Sequence, residues 1–111
     1  MSRILLVEDD VSLGRTLSER LQKDGHDVTW TRTVKAAAGA IDDGRWSLAV
    51  LDVMLPDGSG LEVARAIRRR SQTPMMIMTA LNSASTRLEG FEIGADEYVT
   101  KALSPLEIVA R

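Results

Sequence analysis

Residues 51–60 read LDVMLPDGSG, an apolar run that carries one aspartate, Asp52, and then breaks at Pro56-Asp57-Gly58-Ser59-Gly60. With Leu48, Ala49 and Val50 ahead of it, the run suits a strand covered on both faces, as in a parallel sheet. The Pro-Asp-Gly cluster then marks a turn, and Leu61, Ala64 and Ile67 fall on one face of a helix. A strand that ends on a charge and is followed by a turn and a helix delivers that charge to the carboxyl edge of a sheet, where α/β proteins bind ligands.

The same alternation extends outward in both directions. Upstream, RILLV at 3–7 is a second continuous apolar run; Leu13, Leu17 and Leu21 then recur at helical spacing within Val11 to Asp24, with Asp10 as N-cap and Gly25 as stop. Val28 to Thr31 is β-branched and aromatic, and an alanine-rich helix runs from Val34 to Asp43 before Gly44. Downstream, Met75 to Met78 reads as a strand, Ser85 to Ile93 as a helix and Glu97 to Thr100 as a strand, with Pro105 at the first position of a fifth helix. Five strands alternating with five helices predict an α/β domain with a doubly wound, five-stranded parallel sheet. The flavodoxin-like (βα)5 order 2-1-3-4-5 makes strands one and three neighbours.

Composition agrees with one domain over residues 1–111. The chain is 44% hydrophobic and 27% charged, which argues against disordered and fibrous classes. A net charge of -2 gives no electrostatic reason to bind nucleic acid or an anionic membrane, so DNA contact would need a separate domain. Zero cysteines exclude a disulfide framework and a thiolate metal site. The sequence shows neither a basic-then-apolar leader nor an apolar run near 18 residues, so the expectation is a cytoplasmic protein with no membrane span.

In this topology the carboxyl rim gathers Glu8-Asp9-Asp10 after strand one, Asp52 after strand three and Thr79 after strand four, with Lys101 joining from strand five. Crowded carboxylates repel, and a hard divalent cation resolves the conflict. Mg²⁺ takes oxygen ligands and typically uses one or two carboxylates together with waters and phosphate oxygens. Lys101 supplies a point charge, and the Thr79 hydroxyl can donate to a phosphoryl oxygen. Asp52 is then the nucleophile candidate, since carboxylates form aspartyl-phosphate intermediates.

The ordered set VEDD, LDVMLPDGSG, MTA and GADEYVTK spans almost the whole chain and resembles the receiver domains of bacterial two-component response regulators. The resemblance implies that Asp52 accepts a phosphoryl group from a sensor histidine kinase and that Glu8 and Asp9 form the acidic pair. It implies Mg²⁺ held by Asp9, Asp52 and the Met54 backbone carbonyl, with Glu8 acting through water. It also implies that Thr79 and Lys101 hold the phosphoryl group and that Tyr98 is the rotameric switch. Arg87, Asp96, Glu97, Glu107 and Arg111 alternate in sign on the fourth helix, fifth strand and fifth helix, which resembles the dimer face of the OmpR/PhoB subfamily. Members of that subfamily form homodimers when phosphorylated and carry a DNA-binding domain after the receiver. No such domain lies within these residues, which end about two turns into the last helix, so that helix is expected to be truncated and the chain to be part of a longer regulator.

One departure stands out. Receivers of this kind follow the lysine with proline, through a cis bond, whereas here Lys101 precedes Ala102 and Leu103. A cis bond before a non-proline residue costs about 2.5–4 kcal/mol, so the expectation is a trans bond with Lys101 less well placed.

Other features read as structural. Asp10 is a cap, Arg68-Arg69-Arg70 complement a helix dipole rather than bind nucleic acid, and Trp30 and Trp46 pack in the domain. His26 has no assigned role. Three rival functions compete with the receiver reading. A haloacid-dehalogenase-type phosphohydrolase would place an acidic residue where Met54 stands. A flavodoxin-like carrier would have its flavin phosphate repelled by Glu8-Asp9-Asp10. A receiver that signals by protein contact without phosphorylation is compatible with the Ala102-Leu103 change. The reading is a signalling switch rather than an enzyme.

Overall fold

The structure is a computed structural model that describes residues 2–42, 45–79 and 84–100, without the side chains of residues 79, 84–87 and 98–100. The elements are β1 Arg3–Val7, α1 Val11–Lys23, β2 Asp27–Thr31, α2 Val34–Asp42, β3 Leu48–Asp52, β4 Met54–Leu55, β5 Gly58–Ser59, α3 Gly60–Arg68, β6 Met75–Thr79, α4 Ala84–Ile93 and β7 Glu97–Thr100. The strands β2-β1-β3-β6-β7 pair in that order, all parallel, which is the doubly wound order expected from the sequence. The fifth helix opened by Pro105 lies outside the described residues.

The continuous apolar strands are explained by cover on both sides. Leu5, Val7, Ala49, Leu51 and Met75 face one way and pack with Ala37 and Ile41 of α2 and Val63, Ala64 and Ile67 of α3. Ile4, Leu6, Val50, Met76 and Met78 face the other way and meet Leu17 and Leu21 of α1. Alternate residues of one strand thus serve two cores, as a period of two requires.

Helix α1 begins where Asp10 accepts the Leu13 N–H at 3.0 Å, the expected cap, and Asp24 serves as its C-cap rather than as its last turn. Gly25 follows at φ +96°, a left-handed position that a side chain would strain. The turn at Pro56-Asp57 is more ordered than the sequence suggested. Met54–Leu55 and Gly58–Ser59 pair antiparallel as a tight hairpin, and the Ser59 Oγ accepts the Leu61 N–H at 3.1 Å to start α3. Strand β6 runs on through Thr79, and α4 starts at Ala84.

The basic run at the end of α3 is structural, as expected, and Arg68 does more than complement a dipole. Its guanidinium donates to the carbonyls of Thr73 at 2.7 Å and Gly94 at 2.8 Å, joining α3, the approach to β6 and the end of α4. Arg70 pairs with Asp42 of α2 at 2.7 Å. Both tryptophans pack within the domain: the Trp30 ring covers Gly14, and the Arg3 guanidinium lies 4.4 Å from the Trp46 ring centroid.

Candidate functional site

Parallel pairing sets the site. Val7 of β1 stands beside Leu51 of β3, so the residues one step on, Glu8 and Asp52, emerge at the same carboxyl rim. Both are enclosed by the domain: Glu8 is 0% exposed and Asp52 3% exposed. Ionisable side chains are seldom buried this completely unless a partner or a bound ion balances them. Glu8 is held through one carboxylate oxygen by the Asp10 N–H at 2.9 Å, and its carbonyl accepts the Trp30 indole N–H at 2.8 Å.

Asp52 Oδ1 accepts the Met54 N–H at 3.3 Å, a long bond that fixes the carboxylate against the first residue of the hairpin. The hairpin folds back over the strand end, and Gly60 donates its N–H to the Val53 carbonyl at 2.8 Å. A Cβ on residue 60 would lie 1.8 Å from the Asp52 carbonyl oxygen, so only glycine fits. Met54 itself is 58% exposed, just past the enclosed strand end.

Asp9 is placed differently from Glu8. Its side chain is 48% exposed and lies 3.7 Å from the Arg32 guanidinium, whose Nε and Nη2 also donate to the Asp9 carbonyl at 3.3 and 3.2 Å. Sequence reasoning missed Arg32. The signal available was its position just after strand two, the neighbour of strand one.

Asp57 was also missed as a structural residue. Its carboxylate accepts the N–H groups of Val34 at 2.8 Å and Lys35 at 3.1 Å, capping α2 from 23 residues away beside the local cap of Thr33 Oγ1 on Ala36. Those two backbone donors hold the Asp57 carboxyl below the ordinary carboxylate range.

Thr79 ends β6 beside Thr100, and Tyr98 stands in register with Ile77, but their side chains lie outside the description. Lys101, Glu107 and Arg111 lie outside the described residues, as does the Lys101–Ala102 bond; Arg87 is within α4 with its side chain undescribed. Asp96 lies at the opposite end of the sheet. It accepts the Met75 N–H at 2.9 Å and lies 3.8 Å from Arg68, while Glu97 opens β7 half-buried.

Among the described residues no three acidic or imidazole side chains gather closely enough to make an all-protein cation cage. The donors on offer, the Asp52 and Asp9 carboxylates and nearby backbone carbonyls, are hard oxygens. No helix among the described residues is long and apolar enough to cross a membrane.

Comparisons with known proteins agree with this geometry. The family described as the response regulator receiver domain matches residues 4–111. The chain is 42% identical over 109 residues to the uncharacterized transcriptional regulatory protein YkoG of Bacillus subtilis, covering 97% of this chain and 48% of that protein. The non-phosphorylated HemR receiver domain of Leptospira biflexa is 40% identical, with a TM-score of 0.94 over 99% of this chain and 90% of that one. The BeF3-activated receiver domain of DrrB is 39% identical, with a TM-score of 0.87 over 100% of this chain and 93% of that one. DrrB is described as a Thermotoga maritima OmpR/PhoB homologue. The chain spans about half the length of the curated relatives it matches. With this strand order, the family match over residues 4–111 and these relatives, the chain belongs to the response regulator receiver domain family, in its OmpR/PhoB-like branch.

Proposed function

We propose that Asp52 is the phosphoacceptor of a signalling switch driven by a sensor histidine kinase. The observation that carries this reading is the pair of buried carboxylates, Glu8 and Asp52, at the adjoining ends of two largely apolar strands. In the transfer, an Asp52 carboxylate oxygen bonds to the phosphorus of the kinase's phosphohistidine, the phosphorus–nitrogen bond breaks, and the nitrogen keeps the electron pair and takes up a proton. The Met54 N–H orients the attacking carboxylate from one side. Asp9, Asp52 and the Met54 carbonyl would hold Mg²⁺, with Glu8 acting through water; when bound, the ion offsets the negative charge of both phosphoryl group and rim.

Thr79 and Lys101 then engage the phosphoryl oxygens, and Tyr98 follows Thr79 inward; these roles rest on the match to the receiver motifs. A phosphoryl group brings roughly -1.5 to -2 charges and three acceptor oxygens, enough to bias a two-state surface. The surface is α4, β7 and the helix after it, where Arg87, Glu97, Glu107 and Arg111 supply charges. Leu88 and Phe91 of α4 are 60% and 46% exposed, an apolar patch suited to homodimer contact. Asp96, assigned to the same face from sequence, has its carboxylate engaged within the domain and contributes less. The half-length match to transcriptional regulators supports a DNA-binding output domain beyond the receiver; a last helix that continues past Arg111 and a place in the cytoplasm rest on the resemblance of the motifs to receivers of this branch.

Intact-mass measurement after incubation with acetyl phosphate and Mg²⁺ tests the reading. One phosphoryl addition is expected, absent from Asp52→Asn and from a chelated control. Addition that persists in Asp52→Asn would move the acceptor elsewhere. A folded, Mg²⁺-saturated protein that gains no mass even with a phosphorylated kinase would favour signalling by contact alone.

A further inference from the structure

Arg32 leaves the end of β2, and β2 runs parallel beside β1 with Thr31 in register with Val7. That pairing brings the guanidinium to the rim that carries Glu8, Asp9 and Asp52. Two of its nitrogens converge on a single acceptor, the Asp9 carbonyl, at 3.3 and 3.2 Å, while Nη2 stands 3.7 Å from Asp9 Oδ1. The anchoring contact is thus to the backbone, and the carboxylate contact is additional. Turning the Asp9 carboxylate toward a bound cation leaves the anchor in place, so the positive charge stays at the rim.

We infer that Arg32 is a positioning residue that sets the Mg²⁺ affinity of the acidic site, competing for the Asp9 carboxylate and placing a fixed positive charge beside the cation. The inference rests on the proposed Mg²⁺ site. Arg32 and Asp9 are 54% and 48% exposed, so the pair contributes little to stability, and its effect falls on the ligand instead. At that exposure the interaction is screened by water and salt, which limits it to a modest factor. The Arg32–Asp9 attraction that a cation must displace, between unit charges about 4 Å apart in bulk water, corresponds to roughly fivefold in a binding constant.

The test is calorimetric titration of the 111-residue chain with Mg²⁺ at low ionic strength, with Asp9→Asn and Asp52→Asn as site controls. Arg32→Gln is expected to bind Mg²⁺ about fivefold more tightly than the parent, while Arg32→Lys, which keeps the charge, stays within about twofold of the parent. Added salt at about 0.5 M should shrink the gap between Arg32→Gln and the parent. The metal-free unfolding midpoints of the Arg32 variants should match the parent, and a gain of affinity is an outcome that structural damage does not produce. If both aspartate variants lose Mg²⁺ and Arg32→Gln binds equally or more weakly, the role of Arg32 is overturned while the site stands. If the aspartate variants bind as the parent does, the site reading fails and the Arg32 inference with it.

Discussion

The two ends of the sheet handle charge in opposite ways. At the carboxyl end, Glu8 and Asp52 are enclosed by the domain and share a sign. At the amino end, Arg68 and Asp96 carry opposite signs, and their hydrogen bonds run to the backbone at Thr73, Gly94 and Met75. The amino end acts as a clamp that ties elements together through the backbone. The carboxyl end instead gathers two buried carboxylates at adjoining strand ends, the chemistry on which the proposed cation and phosphoryl site rests.

Substitutions can break that contrast, beginning with the most severe. Gly60→Ala drives a Cβ into the Asp52 carbonyl and forces the hairpin off the strand end. A loss of at least about 3 kcal/mol is expected, read as failure to accumulate folded protein or a collapse of the urea midpoint. A Gly60→Ala variant of parental stability would show that the hairpin is not packed as described. At the amino end, Arg68→Ala removes the charged hydrogen bonds to the Thr73 and Gly94 carbonyls, with a longer one to Ser71, and should cost about 2–3 kcal/mol in urea unfolding. Arg68→Lys should restore little, because one ammonium cannot reproduce the fork.

The carboxyl end should respond in chemistry rather than in stability. Asp52→Asn keeps the shape of the side chain and removes its charge, and is expected to abolish phosphorylation while changing the stability of the metal-free protein in urea by no more than about 1 kcal/mol. A loss as large as that of Arg68→Ala would mean that the Asp52 carboxylate, like Arg68, serves mainly to hold elements together, and the contrast between the two ends would vanish.

The smallest effect sharpens the picture with pH. Asp57 is exposed, and the Val34 and Lys35 N–H groups hold its carboxyl below the usual range. A depressed folded-state value gives stability that is fully present above the unfolded value of about 3.9 and is lost as pH falls through the folded one. Thermal midpoints of the parent and Asp57→Asn should therefore differ by a few degrees at neutral pH and converge on strong acidification. A gap independent of pH would assign the effect to shape rather than charge.

Much of this is legible in the chain alone. The runs at 3–7, 48–52 and 75–79 are continuous because each strand is covered on both faces, so their burial follows from apolar character alone. Asp10 announces itself as a cap because its partner is three residues away. Asp57 does not, because the helix it caps starts 23 residues earlier in the chain and is reached only through folding. The hairpin at 54–59 reads as a plain turn, since strands of two residues are too short to leave a periodic pattern. Asp96 reads as a surface charge on a contact face, and only the packing of α3 against the approach to β6 reveals its bonds to Met75 and Arg68.

Local physics was therefore enough for the sequence by itself to determine the α/β alternation, the helix starts and stops, and the set of acidic residues that had to meet at one rim. Periodicity, caps and turn chemistry act over a few residues and are written in the chain. Tertiary structure alone decided how deeply Glu8 and Asp52 are enclosed, that Arg32 leans on Asp9, that Asp57 holds the start of α2, and that Gly60 must be bare to let the hairpin fold over Asp52. Each of these depends on residues brought together by parallel strand pairing, and the distance between two side chains across a sheet is not encoded in the spacing of either one.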